Sequence, residues 1–179
     1  MTQIGAVYGQ ALYTLTKDEG CALNVLEEMK ALEESFRQEP DFLRLLAAPN
    51  LSKEERCAIV DSSFRGKVNP FLLNFLKLLT EKGYVKHFDD CSRAYHQAYN
   101  QDNGILEVTA VTAIPLTDDQ TVRMKEKLCT ITGKTVELIS RVDPNCLGGV
   151  RLDYDGKRVD DTVAKRLDSI RSLLKNTVL

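Results

Sequence analysis

The sequence has no tryptophan, two histidines and five cysteines in 179 residues. Cys21, Cys57, Cys91, Cys129 and Cys146 are scattered, contain no CxxC pair and are odd in number. That distribution argues against a disulfide framework and against a clustered metal site. His87 and His96 are spaced so that they leave any shared helical face. No metal and no cofactor are therefore expected. No run of about eighteen apolar residues occurs, so no helix is expected to span a membrane. The first twenty residues lack a charged n-region with a cleavage pattern, and they also lack the Arg-rich character of a transit peptide. The expected place is the cytoplasm or the cytoplasmic face of a membrane. Charge of one sign is missing as well. Lys and Arg number 24 against 26 Asp and Glu, a net charge of -2, with no basic stripe for nucleic-acid phosphates.

What is present is an ordinary globular composition, 43% hydrophobic and 28% charged. Its first hundred residues read as successive amphipathic helices. Ile4, Val7, Tyr8, Ala11, Leu12 and Leu15 follow the i, i+3, i+4, i+7 pattern of one buried face. Val25, Met29, Leu32 and Phe36 repeat it. Pro40 opens a short third helix over 42–46. Ser52 and Glu55 form a capping box for a helix with Cys57, Val60 and Phe64 on its inner face and Gly66 at its end. Asn69-Pro70 starts FLLNFLKLLTEK, apolar on most sides and closed by Gly83. Such a helix is central, or leaves a face for a partner. Phe88, Cys91, Tyr95 and Tyr99 define a sixth helix. Short links between these elements favour an antiparallel six-helix bundle.

The polar run Asn100-Gln101-Asp102-Asn103-Gly104 marks the expected boundary, dividing the chain into 1–104 and 105–179. Beyond it, Ile105 to Ile114 is β-rich. Thr117 and Gln120 cap a helix that Gly133 stops. Strands come next around Val136, Leu138 and Val142, and at Val150, Leu152 and Tyr154, with Asp155-Gly156 as a hairpin turn. Val163, Leu167, Ile170 and Leu174 form one stripe of a last helix. The expected fold class is α+β, a helical bundle followed by a small α/β domain.

No catalytic constellation emerges. Gly133-Lys134-Thr135 resembles the end of a phosphate loop, but Leu128 stands where the first glycine belongs, and the order is helix then strand. Gly148-Gly149 lacks dinucleotide spacing and precedes a strand, where glycine serves positive φ or close backbone approach. Asp160 and Asp161 could be an acid–base pair, although a carboxylate before a helix more simply caps it.

The order of these parts resembles the delta subunit of F-type ATP synthases, the bacterial counterpart of the mitochondrial oligomycin-sensitivity-conferring protein. The likeness runs through Tyr8-Gly9-Gln10-Ala11-Leu12, Leu46-Ala47-Ala48-Pro49 and Asn69-Pro70 with its apolar helix. It continues at Val111 to Leu116, Val142-Asp143-Pro144, Leu147-Gly148-Gly149-Val150 and Val159-Asp160. Two positions depart. The family often has Gly-Arg at Gly83-Tyr84 and Asp-Gly-Ser at Asp160-Asp161-Thr162.

The resemblance implies a non-catalytic peripheral-stalk subunit, supporting proton-driven ATP synthesis at the cytoplasmic face of a bacterial cell membrane. Its implied partners are the amino-terminal helices of alpha subunits and the carboxy-terminal region of the b subunits, with no nucleic acid. It also implies a partner groove between the first and fifth helices, for which Tyr8, Ala11, Leu12, Leu76 and Leu79 are the candidate lining or supporting residues. Two rivals predict other features. A helical RNA-binding module needs a basic face, and an enzyme using Asp160 and Asp161 needs a carboxylate of raised pKa in a pocket.

Two outcomes test this reading. A fragment of residues 1–104 is expected to melt cooperatively by circular dichroism; a gradual loss of helicity contradicts the boundary. Calorimetry of the whole chain with Mg-ATP is expected to show no binding, and a tight isotherm overturns the reading of Leu128.

Overall fold

The computed structural model describes residues 2–48 and 51–167. The chain divides into two compact units, 1–99 and 100–179. It is α+β: helices fill the first unit, and a mixed sheet carries the second. Pro49, Ile170 and Leu174 lie outside the described residues.

In the first unit α1 (Gln3–Asp18) and α2 (Ala22–Gln38) precede the short α3 (Pro40–Leu46). After them come α4 (Lys53–Phe64), α5 (Pro70–Lys82), a 3-10 turn at Val85–His87 and α6 (Phe88–Asp102). The helix starts arise from local chemistry. Ser52 Oγ accepts from the Glu55 N–H at 3.2 Å, while Glu55 Oε2 accepts from the Ser52 N–H at 2.8 Å. Asn69 Oδ1 accepts from the Phe71 N–H at 2.9 Å, and Pro70 occupies the first helical turn, where a missing N–H costs nothing. The 100–104 run is not all turn. Its first three residues complete α6, and the chain turns only at Asn103-Gly104, where glycine takes φ +61°.

The core of this unit gathers Val25, Met29, Leu32 and Phe36 of α2, Val60 of α4, and Leu72, Phe75, Leu76 and Leu79 of α5. Phe88, Cys91 and Tyr95 of α6 complete it. The richly apolar α5 is accordingly central, with six of its residues buried.

On α1 the buried face differs from the expected one. Gly5, Gly9, Leu12, Tyr13 and Thr16 are buried, whereas Val7 is 60% and Leu15 45% exposed and Ala11 is exposed too. The cause is steric. A Cβ on Gly9 would lie 2.3 Å from the Cys91 carbonyl oxygen and 2.8 Å from Ala94 Cβ. One on Gly5 would lie 2.5 Å from Asp90 Cβ. The missing side chains let α1 lie directly on α6, and that rotation turns Val7, Ala11 and Leu15 outward. A count of apolar side chains gives glycine no weight, so it selects the neighbouring stripe.

Polar bonds fix the same seam. Tyr95 Oη lies 2.6 Å from Thr16 Oγ1 and donates to the Ala22 carbonyl at 2.9 Å. Burial pushes the Tyr95 phenol up to about 12, so it stays a neutral donor. Burial likewise raises the Cys91 thiol to about 11. At the helix start, Thr2 Oγ1 caps Gly5 N–H at 3.2 Å, and the Thr2 N–H donates to Asp90 Oδ2 at 3.0 Å.

The second unit begins with β1 (Ile105–Thr112), α7 (Asp118–Thr132) and β2 (Thr135–Val142). A 3-10 turn at Pro144–Cys146 leads to β3 (Val150–Tyr154) and β4 (Lys157–Asp160), and residues 163–167 are helical. The sheet order is β2-β1-β3-β4. β1 and β2 are parallel, the β-α-β arrangement that a crossover helix requires, and the remaining pairs are antiparallel. β4 extends the expected three strands. Leu106, Val108 and Val136 form the core of this unit, with Leu128 and Cys129 of α7 packed against them. Tyr154 pairs with Lys157 across Asp155-Gly156, both at positive φ, which is the two-residue turn that DG favours.

Gly9→Ala is expected to destabilise the protein by about 1–3 kcal/mol, because the new methyl meets backbone that cannot yield. Val7→Ala, on the open stripe, is expected to stay within about 0.5 kcal/mol of wild type. Chemical denaturation of the two variants checks the difference.

Candidate functional site

The stretch from Val142 to Leu167, richest in glycine and aspartate, is held by structural bonds. Gly149 adopts φ +79°, and a Cβ there would fall 2.5 Å from the Asp161 carbonyl oxygen. Val163 N–H donates to the Gly148 carbonyl at 3.0 Å, and Asp161 N–H to the Val150 carbonyl at 3.2 Å. The two glycines thus let the start of the next helix pass close to β3. The helix cap is Thr162 rather than either aspartate: its hydroxyl accepts from Lys165 N–H at 3.2 Å. Asp160 Oδ1 in turn accepts from the Thr162 N–H at 3.1 Å and its hydroxyl at 2.7 Å. These bonds hold the Asp160 carboxyl below the usual range, the opposite of what a general acid needs. Asp161 pairs with Arg166 at 2.6 Å. Neither aspartate is poised for proton transfer.

The phosphate-loop resemblance also dissolves. Gly133 ends α7 at φ +67°, and Leu128 packs against the sheet core. Among the described residues no three His, Cys, Asp or Glu side chains gather as a metal site. No described helix is long and apolar enough to cross a membrane.

The open surface of chemical interest lies on α1. Val7, Ala11 and Leu15 recur every four residues, so they form one stripe about 12 Å long at the 1.5 Å helical rise. α1 packs on α5, whose exposed Leu78 is 39% accessible. Tyr8 is half-buried and meets Tyr84, just past the end of α5, edge-on at 5.9 Å. His87 stands edge-on to Tyr84 at 6.3 Å.

Of the five candidates, Leu12, Leu76 and Leu79 are buried together in the core. Tyr8 is half-buried and Ala11 exposed. Sequence reasoning misses Val7, Leu15 and Leu78 as open positions. The available signal is Gly5-x-x-x-Gly9, a spacing that places both glycines on one helical face.

α5 is further tied to α4. Asp61 forms ion pairs with Arg65 on its own helix and with Lys77. The Lys77 bond holds the Asp61 carboxyl below its ordinary range. The Cys57 thiol donates to the Lys77 carbonyl at 3.8 Å. These groups are occupied in joining helices.

Comparison with known proteins places this architecture. The family model described as ATP synthase delta (OSCP) subunit matches residues 4–174. The chain is similar to the protein named ATP synthase subunit delta of Clostridioides difficile (strain 630), 28% identical over 172 residues, covering 96% of this chain and 95% of the relative. It is similar to the protein of that name in Cytophaga hutchinsonii, 28% identical over 178 residues, covering 99% and 97%. A chain in the cryo-EM structure of the Toxoplasma gondii mitochondrial ATP synthase hexamer shares the fold. That likeness has a TM-score of 0.78 at 18% identity, covering 97% and 98% of the two chains.

Proposed function

The chain belongs to the ATP synthase delta (OSCP) subunit family, and from that premise we propose that it is a non-catalytic peripheral-stalk subunit. It links the catalytic head to the membrane-anchored b subunits, and so keeps the head from turning with the rotor during proton-driven ATP synthesis. The observation that carries this reading is the family match over 4–174, both units included. The site chemistry agrees with it, since the aspartates and glycines that could have served catalysis are engaged in caps, turns and helix junctions.

In this reading the first unit acts as an antiparallel six-helix bundle and as the grip on the head. The occupant of its α1–α5 surface is an amino-terminal helix of an alpha subunit. Helix-in-groove recognition needs an apolar stripe at helical spacing, and Val7, Ala11 and Leu15 supply one beside Tyr8. Leu12, Leu76 and Leu79 stiffen the floor. The second unit engages the carboxy-terminal region of the b subunits, at the cytoplasmic face of a bacterial membrane, and each unit folds by itself.

The test is binding of an alpha amino-terminal peptide to wild type and to Ala11→Glu. Ala11 is exposed, so the variant is expected to keep its helicity and its denaturation midpoint while peptide affinity falls at least about tenfold, the cost of a charge in an apolar contact. A folded variant that binds as wild type does would remove the peptide from this face.

A further inference from the structure

We propose that Tyr95 is the positioning residue of the α1–α5 surface: its hydroxyl fixes the roll of α1, and thereby the direction in which Val7, Ala11 and Leu15 meet a docked helix. The inference rests on the reading of that surface as the grip on an alpha amino-terminal helix.

The seam between α1 and α6 brings the two helices close without fixing how α1 is turned. Gly5 lies over Asp90, and Gly9 over Cys91 and Ala94. A glycine has no side chain to lodge between its neighbours, so neither contact interlocks against a roll. Apolar contact along the rest of the helix is non-directional, whereas a hydrogen bond weakens steeply as its angle closes. Bonds of that kind stand at both ends of α1. The Thr2 N–H donates to Asp90 Oδ2 at 3.0 Å in an exposed setting, where water competes for both partners. The contact of Thr16 Oγ1 with Tyr95 Oη at 2.6 Å is buried. Both residues are 0% exposed, so water replaces neither, and no docked helix touches Tyr95.

Tyr95 has one hydroxyl proton and gives it to the Ala22 carbonyl at 2.9 Å. Thr16 is then the donor at the 2.6 Å contact. One phenol on α6 thus joins the last turn of α1 to the first residue of α2. Removing its hydroxyl orphans nothing. The Thr16 hydroxyl retains the Leu12 and Tyr13 carbonyls, at 3.0 and 3.1 Å, as acceptors in its own helix. Ala22, in the first turn of α2, keeps the helical partner of its carbonyl. A phenyl ring fills nearly the same volume. What goes is the tie between helices. The bond therefore orients more than it stabilises, because no buried group is left unpaired.

Leu15 precedes Thr16 and stands about 100° from it around the helix. A roll that parts Thr16 from Tyr95 turns Leu15, Ala11 and Val7 together, and so changes how the stripe faces Leu78 of α5.

The test uses the full chain, with amide hydrogen exchange and with calorimetry of an alpha amino-terminal peptide. Tyr95→Phe is expected to keep its helicity, and exchange should quicken about tenfold in α1 but not in α5. Peptide affinity should fall about fivefold. Thr16→Val should do the same, Thr16→Ser should match wild type, and the double variant Tyr95→Phe with Thr16→Val should lose no more than either single, since both remove one bond. Val60→Ala, a cavity in the buried face of α4, serves as the control for stability alone. It should lower the denaturation midpoint and leave the affinity of the folded protein at the wild-type value. Unchanged α1 exchange in Tyr95→Phe overturns the proposal, as does quickening shared equally by α5. So do additive losses in the double variant, or an affinity loss in Val60→Ala as large as in Tyr95→Phe. Wild type that binds no peptide removes the reading of the surface, whereas binding that Tyr95→Phe retains in full removes the role of Tyr95 alone.

Discussion

The helical unit depends on the approach of α1 to α6 at Gly5 and Gly9. With no Cβ at either position, the two backbones come closer than any other residue would permit. The surrounding features of the seam fit that distance. Thr16 reaches Tyr95, Tyr95 reaches the Ala22 carbonyl, and Thr2 spans to Asp90. The approach also decides which side chains α1 shows to solvent. A helix seated on its glycines must carry Val7, Ala11 and Leu15 away from the core. The same small residues that complete the fold thus expose its apolar surface. The role proposed for that surface requires no reactive group, only shape and apolar contact.

The second unit solves a related problem by related means. Its β3 strand and the helix after β4 come together at Gly149, where backbone again meets backbone. A relay of short side chains continues from that junction: Asp160 holds Thr162, and Thr162 holds the helix start. A carboxylate that supports a cap is indistinguishable in sequence from one that performs chemistry. Its bonds and depressed pKa separate the two roles.

Local signals are legible in the sequence and long-range ones are not. Ser52 with Glu55, Thr117 with Gln120, Asn69-Pro70 and Asp155-Gly156 each act within four residues, and each forms the cap or turn its chemistry dictates. The faces of α2 and α5 are readable because aliphatic residues dominate them. The face of α1 escapes because its contact with α6 is made by absent side chains, which periodicity does not register. The polar end of α6 reads as a linker because Asn, Gln and Asp favour turns, although three of its residues complete the helix. Of the candidate site, the helices are identifiable, but which side of each faces out depends on partners some eighty residues away.

The tyrosines give the α1 seam an optical meaning. With no tryptophan in the chain, near-ultraviolet absorption at wavelengths beyond the phenylalanine bands belongs to tyrosine. Tyr13 of α1 stands edge-on to Tyr95 and Tyr99 of α6, at 5.5 and 6.4 Å, and Tyr8 of α1 meets Tyr84. Five of the six tyrosines therefore sit where α1 meets its neighbours, Tyr154 being the sixth. Rings held in fixed asymmetric surroundings give a near-ultraviolet dichroic band that vanishes when packing loosens. In this molecule that band is a built-in spectroscopic gauge of one helix: it reports whether α1 is seated, while far-ultraviolet dichroism reports all the helices at once.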